Sequence, residues 1–133
     1  MKIVADTMIW VSYFTRSDGY RHRLIERARR KRVRIFVSEY ILHELGETLV
    51  EDLHRTSRFA FLSCIAVLKI ARLVKIPLAS PPYVLADPKD DPIIQTAFKA
   101  KADYLVTADK DILKLRKIQD LVILSPTEFE EQL

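Results

Sequence analysis

Four acidic residues stand where a short α/β chain would gather its turns. Asp6 follows a first apolar run, Glu44 lies within a helical stretch, Asp91 precedes another helix, and Asp109 follows a later apolar run. Carboxylates crowded into one cleft repel one another unless cations intervene, so the grouping points to a divalent-metal centre. Mg²⁺ or Mn²⁺, as one or two ions, accepts hard oxygen donors, lowers the pKa of bound water and offsets charge at a phosphodiester. Thr7, Asp90, Thr107 and Asp111 flank the four acids as supporting groups. Taken singly, each acid reads equally well as a turn residue, a helix cap or half of a salt bridge; the combination carries the inference. A thiol mechanism has no comparable support. Cys64 is the sole cysteine, sits in the apolar run FLSCIAVL without a histidine signature, and reads as a buried core thiol. His22, His43 and His54 lack zinc-site spacing and read as surface or helix partners.

The elements that must position these acids alternate between strand and helix. Ile3–Ala5, Ile35–Val37, Tyr104–Val106 and Leu121–Leu124 are brief apolar runs that read as buried strands, with Val74 and Ile76 as a short further strand. Between them, Trp10, Val11, Tyr13 and Phe14 predict a short helix that packs into the core, and Gly19 opens a turn. A helix is expected over 20–31 with Leu24, Ile25 and Ala28 inward, and another over roughly 58–72. Ser38 is a natural N-cap for a helix reaching about Leu53, on which Ile41, Leu42, Leu45 and Leu49 form one apolar stripe. At about 100° of rotation per residue, Glu44 falls at the edge of that stripe, while Glu47 and Glu51 face solvent. Asp91 caps a helix whose first residue is Pro92, Asp109 or Asp111 begins a short turn of helix, and Pro126 starts a last one through Glu130. The Pro77–Pro88 stretch reads as the main loop.

This alternation predicts an α/β fold: a mainly parallel sheet of about five strands, covered on both faces through right-handed crossovers. The carboxyl ends of parallel strands frame a common cleft, which makes Asp6 and Asp109 neighbours despite their separation in sequence. A chain of 133 residues, 49% hydrophobic, supplies one core, so a single domain over 1–133 is expected. The opening MKIVADTMIWV has neither the apolar length nor the small-residue cleavage site of a leader, and no stretch reaches membrane-spanning length. With no disulfide possible within the chain, the cytoplasm is the expected compartment.

A formal charge of +4 favours polyanionic partners. The run RHRLIERARRKRVR concentrates that surplus in Arg21, Arg23, Arg27, Arg29, Arg30, Lys31, Arg32 and Arg34, against Glu26. Such a run can follow phosphates while reading no base, or can serve as the solvated face of an amphipathic helix. Acids in a cleft and a basic helix beside them suggest metal-assisted cutting of a nucleic acid.

The motifs ADTMIWVSYFTRSDG, SEYILHELGETL, DPKDDPII and ADYLVTADKDIL, in this order across nearly the whole chain, together resemble PIN-domain nucleases, in particular the toxin-like branch related to VapC ribonucleases. The resemblance implies a three-layer α/β/α sandwich. It also implies Mg²⁺- or Mn²⁺-dependent cleavage of RNA, homodimerisation, and a cognate antitoxin as partner. Within it, Asp6, Glu44, Asp91 and Asp109 match the acidic quartet that holds the metal, and Thr7 and Thr107 occupy supporting positions. Met8 stands where the family pattern has asparagine after its Asp-Thr pair. The expected reaction is attack by metal-bound water on an RNA phosphodiester, leaving a 5′-phosphate and a 3′-hydroxyl. Three other readings compete: a metal-dependent nuclease acting on DNA flaps or junctions, a non-catalytic RNA-binding module that uses the basic helix, and a protein-interaction or toxin-remnant domain that self-associates through its 57–72 helix.

Overall fold

The computed structural model describes residues 1–77 and 91–133. In these, the chain runs β1 (Lys2–Ala5), α1 (Thr7–Thr15), α2 (Tyr20–Arg30), β2 (Arg34–Ser38), α3 (Glu39–Glu47), a π-helical turn (Thr48–Asp52) and α4 (Ser57–Ile70). There follow β3 (Arg72–Val74), α5 (Pro92–Ala100), β4 (Tyr104–Val106), α6 (Lys110–Leu113), β5 (Lys117–Ile118), β6 (Leu121–Leu124) and α7 (Pro126–Glu131). The expected main loop lies outside the described residues apart from Pro77, and so does Asp90.

The strands form one sheet in the order β3-β2-β1-β4-β6-β5, parallel except for the β5–β6 pair. β1 is central: Ile3 lies opposite both Ile35 and Tyr104, and Ile3, Val4 and Ala5 are fully buried. That burial on both faces is why β1 reads as an unbroken apolar run rather than an alternating one. Successive strands step from β1 to β3 in one direction, and the chain then returns through α5 to β4 on the other side of β1. Right-handed crossovers in opposite directions place their helices on opposite faces, which yields the three-layer α/β/α sandwich. α5 packs against β1 and β2, while α7 packs against β4, β6 and α2.

Most expected elements form with their caps. The Ser38 hydroxyl accepts from the Ile41 N–H at 3.4 Å, and the Asp91 carboxylate accepts from the Ile93 N–H at 2.8 Å with Pro92 in the first helical position. Four details differ from expectation. The helix after Ser38 does not stay α-helical to Leu53; it widens into the π-helical turn, with the Leu53 N–H donating to the Thr48 carbonyl. β3 is Arg72–Val74 and stops short of Ile76, as an edge strand with little burial to impose a two-residue period. β5 is an additional strand of two residues, joined to β6 by a tight turn in which Gln119 takes φ 54°. Gly19 has an ordinary φ of −80°, so no left-handed backbone is needed there. A Cβ would instead sit 3.0 Å from the Arg16 carbonyl oxygen that the Gly19 N–H contacts.

Cys64 is half-buried rather than fully buried; its thiol donates to the Leu42 carbonyl and burial raises its pKa. Trp10 and Tyr13 are in the core as expected. Among the described residues no helix is long and apolar enough to cross a membrane.

Candidate active site

The strand order reverses between β1 and β4, and the crevice at the carboxyl ends of those strands is where open α/β sheets take their ligands. Asp6 is the residue after β1. Its N–H donates to the Val106 carbonyl at 2.9 Å, which locks the chain leaving β1 to the end of β4. The Asp6 carboxylate is N-cap to α1, with Oδ1 accepting from the Thr7 N–H at 2.5 Å. Its other oxygen, Oδ2, accepts from the Thr107 hydroxyl at 2.6 Å. Thr107 follows β4 and is itself fixed by its N–H to the Leu124 carbonyl. One Asp6 oxygen is thus aimed by the first N–H of α1 and the other by a hydroxyl just past the end of β4, and the residue is only 9% exposed.

Glu44 arrives from α3, half-buried at the margin of the apolar stripe. Its Oε1 accepts from the Thr7 hydroxyl at 2.6 Å and its Oε2 from the Tyr40 hydroxyl at 3.1 Å, one helical turn earlier. Thr7 therefore joins two acids: its N–H serves Asp6 and its hydroxyl serves Glu44. Asp109 follows β4 after the Thr107–Ala108 step, and the Asp109 N–H donates to the Thr107 hydroxyl oxygen at 3.0 Å. Its Oδ1 caps α6 by accepting from the Asp111 N–H at 2.8 Å. Asp111 turns to solvent and pairs with Lys114 at 3.6 Å.

Asp6, Glu44 and Asp109 line one cavity of about 470 Å³, together with Thr7, Met8, Arg21, Thr48 and Ala108. Asp91 is not among its lining residues. It caps α5, whose Thr96 hydroxyl lies 2.7 Å from the hydroxyl of Ser38 at the end of β2, so α5 begins at the same carboxyl edge of the sheet. Of the basic run, Arg21 alone lines the cavity, its guanidinium donating to the Ser12 hydroxyl at 3.1 Å. Arg27 and Arg29 instead pair with Glu130 and Glu26 at 3.3 and 2.9 Å, and Lys31 reaches the Leu133 carbonyl.

Electrostatics mark the cavity as short of positive charge. Burial pushes the Asp6 carboxyl above its ordinary value of 3.8; hydrogen bonds from Thr107 and Thr7 pull it down, and the charges of Glu44 and Asp109 push it up again. Among the described residues no three His, Cys, Asp or Glu side chains are gathered closely enough to hold an ion as they stand. The donor chemistry nonetheless fits a hard divalent cation: three like-charged carboxylates share one cavity, and two of them raise the pKa of the third.

Tyr40 on Glu44 and Thr48 at the start of the π-helical turn are site features that sequence reasoning missed, while Arg21, expected as one member of the basic run, lines the acidic cavity. A tyrosine four residues before an acid on one helix face was the available signal for the first. π-Helical turns recur at functional sites, but nothing in the TLVED segment announces one.

No curated protein matches the chain. Among solved structures, the fold is similar to that of VapBC2 from Rickettsia felis, solved bound to a DNA fragment from their promoter. The TM-score is 0.64 at 14% sequence identity, with 94% of this chain and 98% of that chain covered. A sequence profile described as PIN domain matches residues 2–111, a span that runs from β1 through Asp6, Glu44 and Asp91 to Asp109 and the start of α6. On that match, with the α/β/α architecture beneath it, the chain belongs to the PIN-domain family.

Proposed function

We propose that this protein is a divalent-cation-dependent endoribonuclease, and the toxin of a toxin–antitoxin pair. The observation that carries the reading is the convergence of Asp6, Glu44 and Asp109, from three different elements, on one cavity at the sheet's reversal point. Asp6, Glu44 and Asp109 would hold Mg²⁺ or Mn²⁺, with Asp91 contributing from the start of α5. A cation bound there supplies positive charge to the scissile phosphate and lowers the pKa of a water nucleophile.

The chain's own residues do the rest. Thr107 and the Thr7 N–H hold the Asp6 carboxylate in one orientation, and the Thr7 and Tyr40 hydroxyls do the same for Glu44. Such outer contacts fix donor geometry and are worth about 10–100-fold in metal affinity or activity elsewhere. Because cation binding requires ionised carboxylates, the raised pKa of Asp6 makes activity climb with pH through that ionisation. Met8, 49% exposed at the cavity wall, offers no hydrogen bond where the family pattern carries an amide.

The VapC-like motifs and the likeness of fold to VapBC2 support a cognate antitoxin as partner. On α4, Phe61, Ile65 and Leu68 are exposed at helical spacing and support a homodimer through that face. The test is cleavage of single-stranded RNA by purified protein with Mn²⁺, beside matched single-stranded and branched DNA. The reading predicts RNA turnover that Asp6→Asn abolishes. Preference for branched DNA would transfer the assignment to a structure-specific DNA nuclease, and turnover unchanged in Asp6→Asn would remove the cavity from the chemistry.

A further inference from the structure

Beside the acidic cavity lies a second, larger groove of about 670 Å³, and the two share Met8 and Arg21 in their walls. Three arginines line it: Arg16 at the end of α1, Arg21 in the first turn of α2, and Arg55 after the π-helical turn. Among the described residues none in its lining is a carboxylate, although acids line the adjoining cavity. Arg21 is braced on Ser12, and Arg55 sits over the Phe59 ring at 5.0 Å. Among the described residues the Arg16 guanidinium has no hydrogen bond or ion pair, unlike Arg27 and Arg29 of the basic helix. Tyr20 is 38% exposed at the wall, its hydroxyl held by Glu130 and the Pro126 carbonyl.

A cavity of acids repels the phosphate it is meant to cut. A strand reaches it only where neighbouring positive charge offsets that repulsion and guides the backbone in. Unpaired arginines beside an exposed aromatic ring are the combination that holds single-stranded nucleic acid, by phosphate contacts and base stacking.

We propose that the Arg16–Arg21–Arg55 groove is the approach channel for a single-stranded RNA substrate, with Arg16 and Arg55 gripping phosphates next to the one presented to the acids. The proposal rests on the reading of the acidic cavity as the hydrolytic centre. Arg16 and Arg55 are positioning residues, outside the basic helix that dominates the sequence, and Arg21 marks the junction between groove and cavity.

The test separates binding from cleavage. Binding of a fluorescein-labelled oligouridylate, about twelve nucleotides long, is followed by anisotropy in EDTA over a range of salt. Arg16→Ala/Arg55→Ala is expected to weaken affinity about tenfold and to lower the salt slope by about 1.4, two phosphates at about 0.7 each. With Mn²⁺, the same variant is expected to raise KM about tenfold while kcat stays within about threefold. Unchanged affinity and slope would overturn the proposal, as would a larger loss from Arg29→Ala/Arg30→Ala. Displacement of the RNA by polyglutamate as readily as by unlabelled oligouridylate would also overturn it, since the groove would then be an acidic-peptide site. Should the wild type bind RNA through these arginines yet cleave none, the hydrolytic reading fails and the channel stands. Should it cleave RNA with KM indifferent to Arg16 and Arg55, the channel alone fails.

Discussion

The carboxyl edge of the sheet and the outer face of α2 are both densely charged, but they handle charge in opposite ways. At the sheet edge, Asp6, Glu44 and Asp109 share a cavity in which hydroxyls and one backbone N–H orient two of the acids. Arg21 is the one cationic side chain among the described lining residues. On α2, Glu26 and Glu130 already neutralise Arg29 and Arg27, and these contacts are open to solvent. The acids are therefore held in a geometry that their own repulsion opposes, and on the proposed reading a bound cation would relieve it. The arginines of α2 are largely at rest with the partners they have. Density of charge says little about function; whether the fold has already supplied the partner says more.

Removing charge from each region should give unequal results. Asp109→Asn is expected to lower Mn²⁺-dependent RNA turnover by at least about a thousandfold, against about two- to threefold for Arg29→Ala/Arg30→Ala. Comparable losses from the two changes would erase the distinction. A subtler change keeps every carboxylate and removes only a hydroxyl that aims one: Thr107→Val should cost about 10–100-fold in kcat.

The strain of the acidic side should also be visible in stability. Asp6 has a raised pKa in the folded protein, so its neutral form is favoured there; its contribution is full below 3.8 and is lost as pH rises through the raised value. Asp6→Asn keeps the cap oxygen that accepts from the Thr7 N–H and removes the buried charge, and should raise Tm at pH 7 without metal. That gain should vanish below 3.8, where wild-type Asp6 is itself protonated. A variant less stable than wild type at pH 7 would mean the acid is not under electrostatic stress. On the other region, Arg29→Ala should shift unfolding free energy by no more than about 1 kcal/mol, as measured by urea denaturation, because its pair with Glu26 is screened by water.

Much of the scaffold was legible because its signals are local. Three-residue apolar runs gave β1 and β4 where a buried parallel sheet needs them, and Ser38, Asp91 and Asp109 cap the helices that they precede. β5 escaped because two residues, Lys117 and Ile118, cannot show a period, and the turn after them lacks the Asn-Gly or Asp-Gly pair that marks a hairpin. The helical stripe put Glu44 at the margin of the core, yet the Thr7 and Tyr40 hydroxyls that hold it depend on how α1 and α3 meet. That Asp109 lines the cavity and Asp111 does not is decided by the short turn after β4, through the bond from the Asp109 N–H to Thr107. The eight cations between Arg21 and Arg34 are alike in sequence, and only the fold distinguishes Arg21, the one among them that lines the acidic cavity.

The central claim is that these separated acids act together as one cation receptacle, and calorimetric titration with Mn²⁺ tests it most directly. Wild type is expected to bind, and Asp6→Asn, Glu44→Gln and Asp109→Asn each to lose at least about tenfold in affinity, with Asp91→Asn showing the smallest loss. If wild type and the three cavity variants took up Mn²⁺ equally, or not at all while still folded, the acids would be helix caps and hydrogen-bond acceptors, and the hydrolytic account would be contradicted.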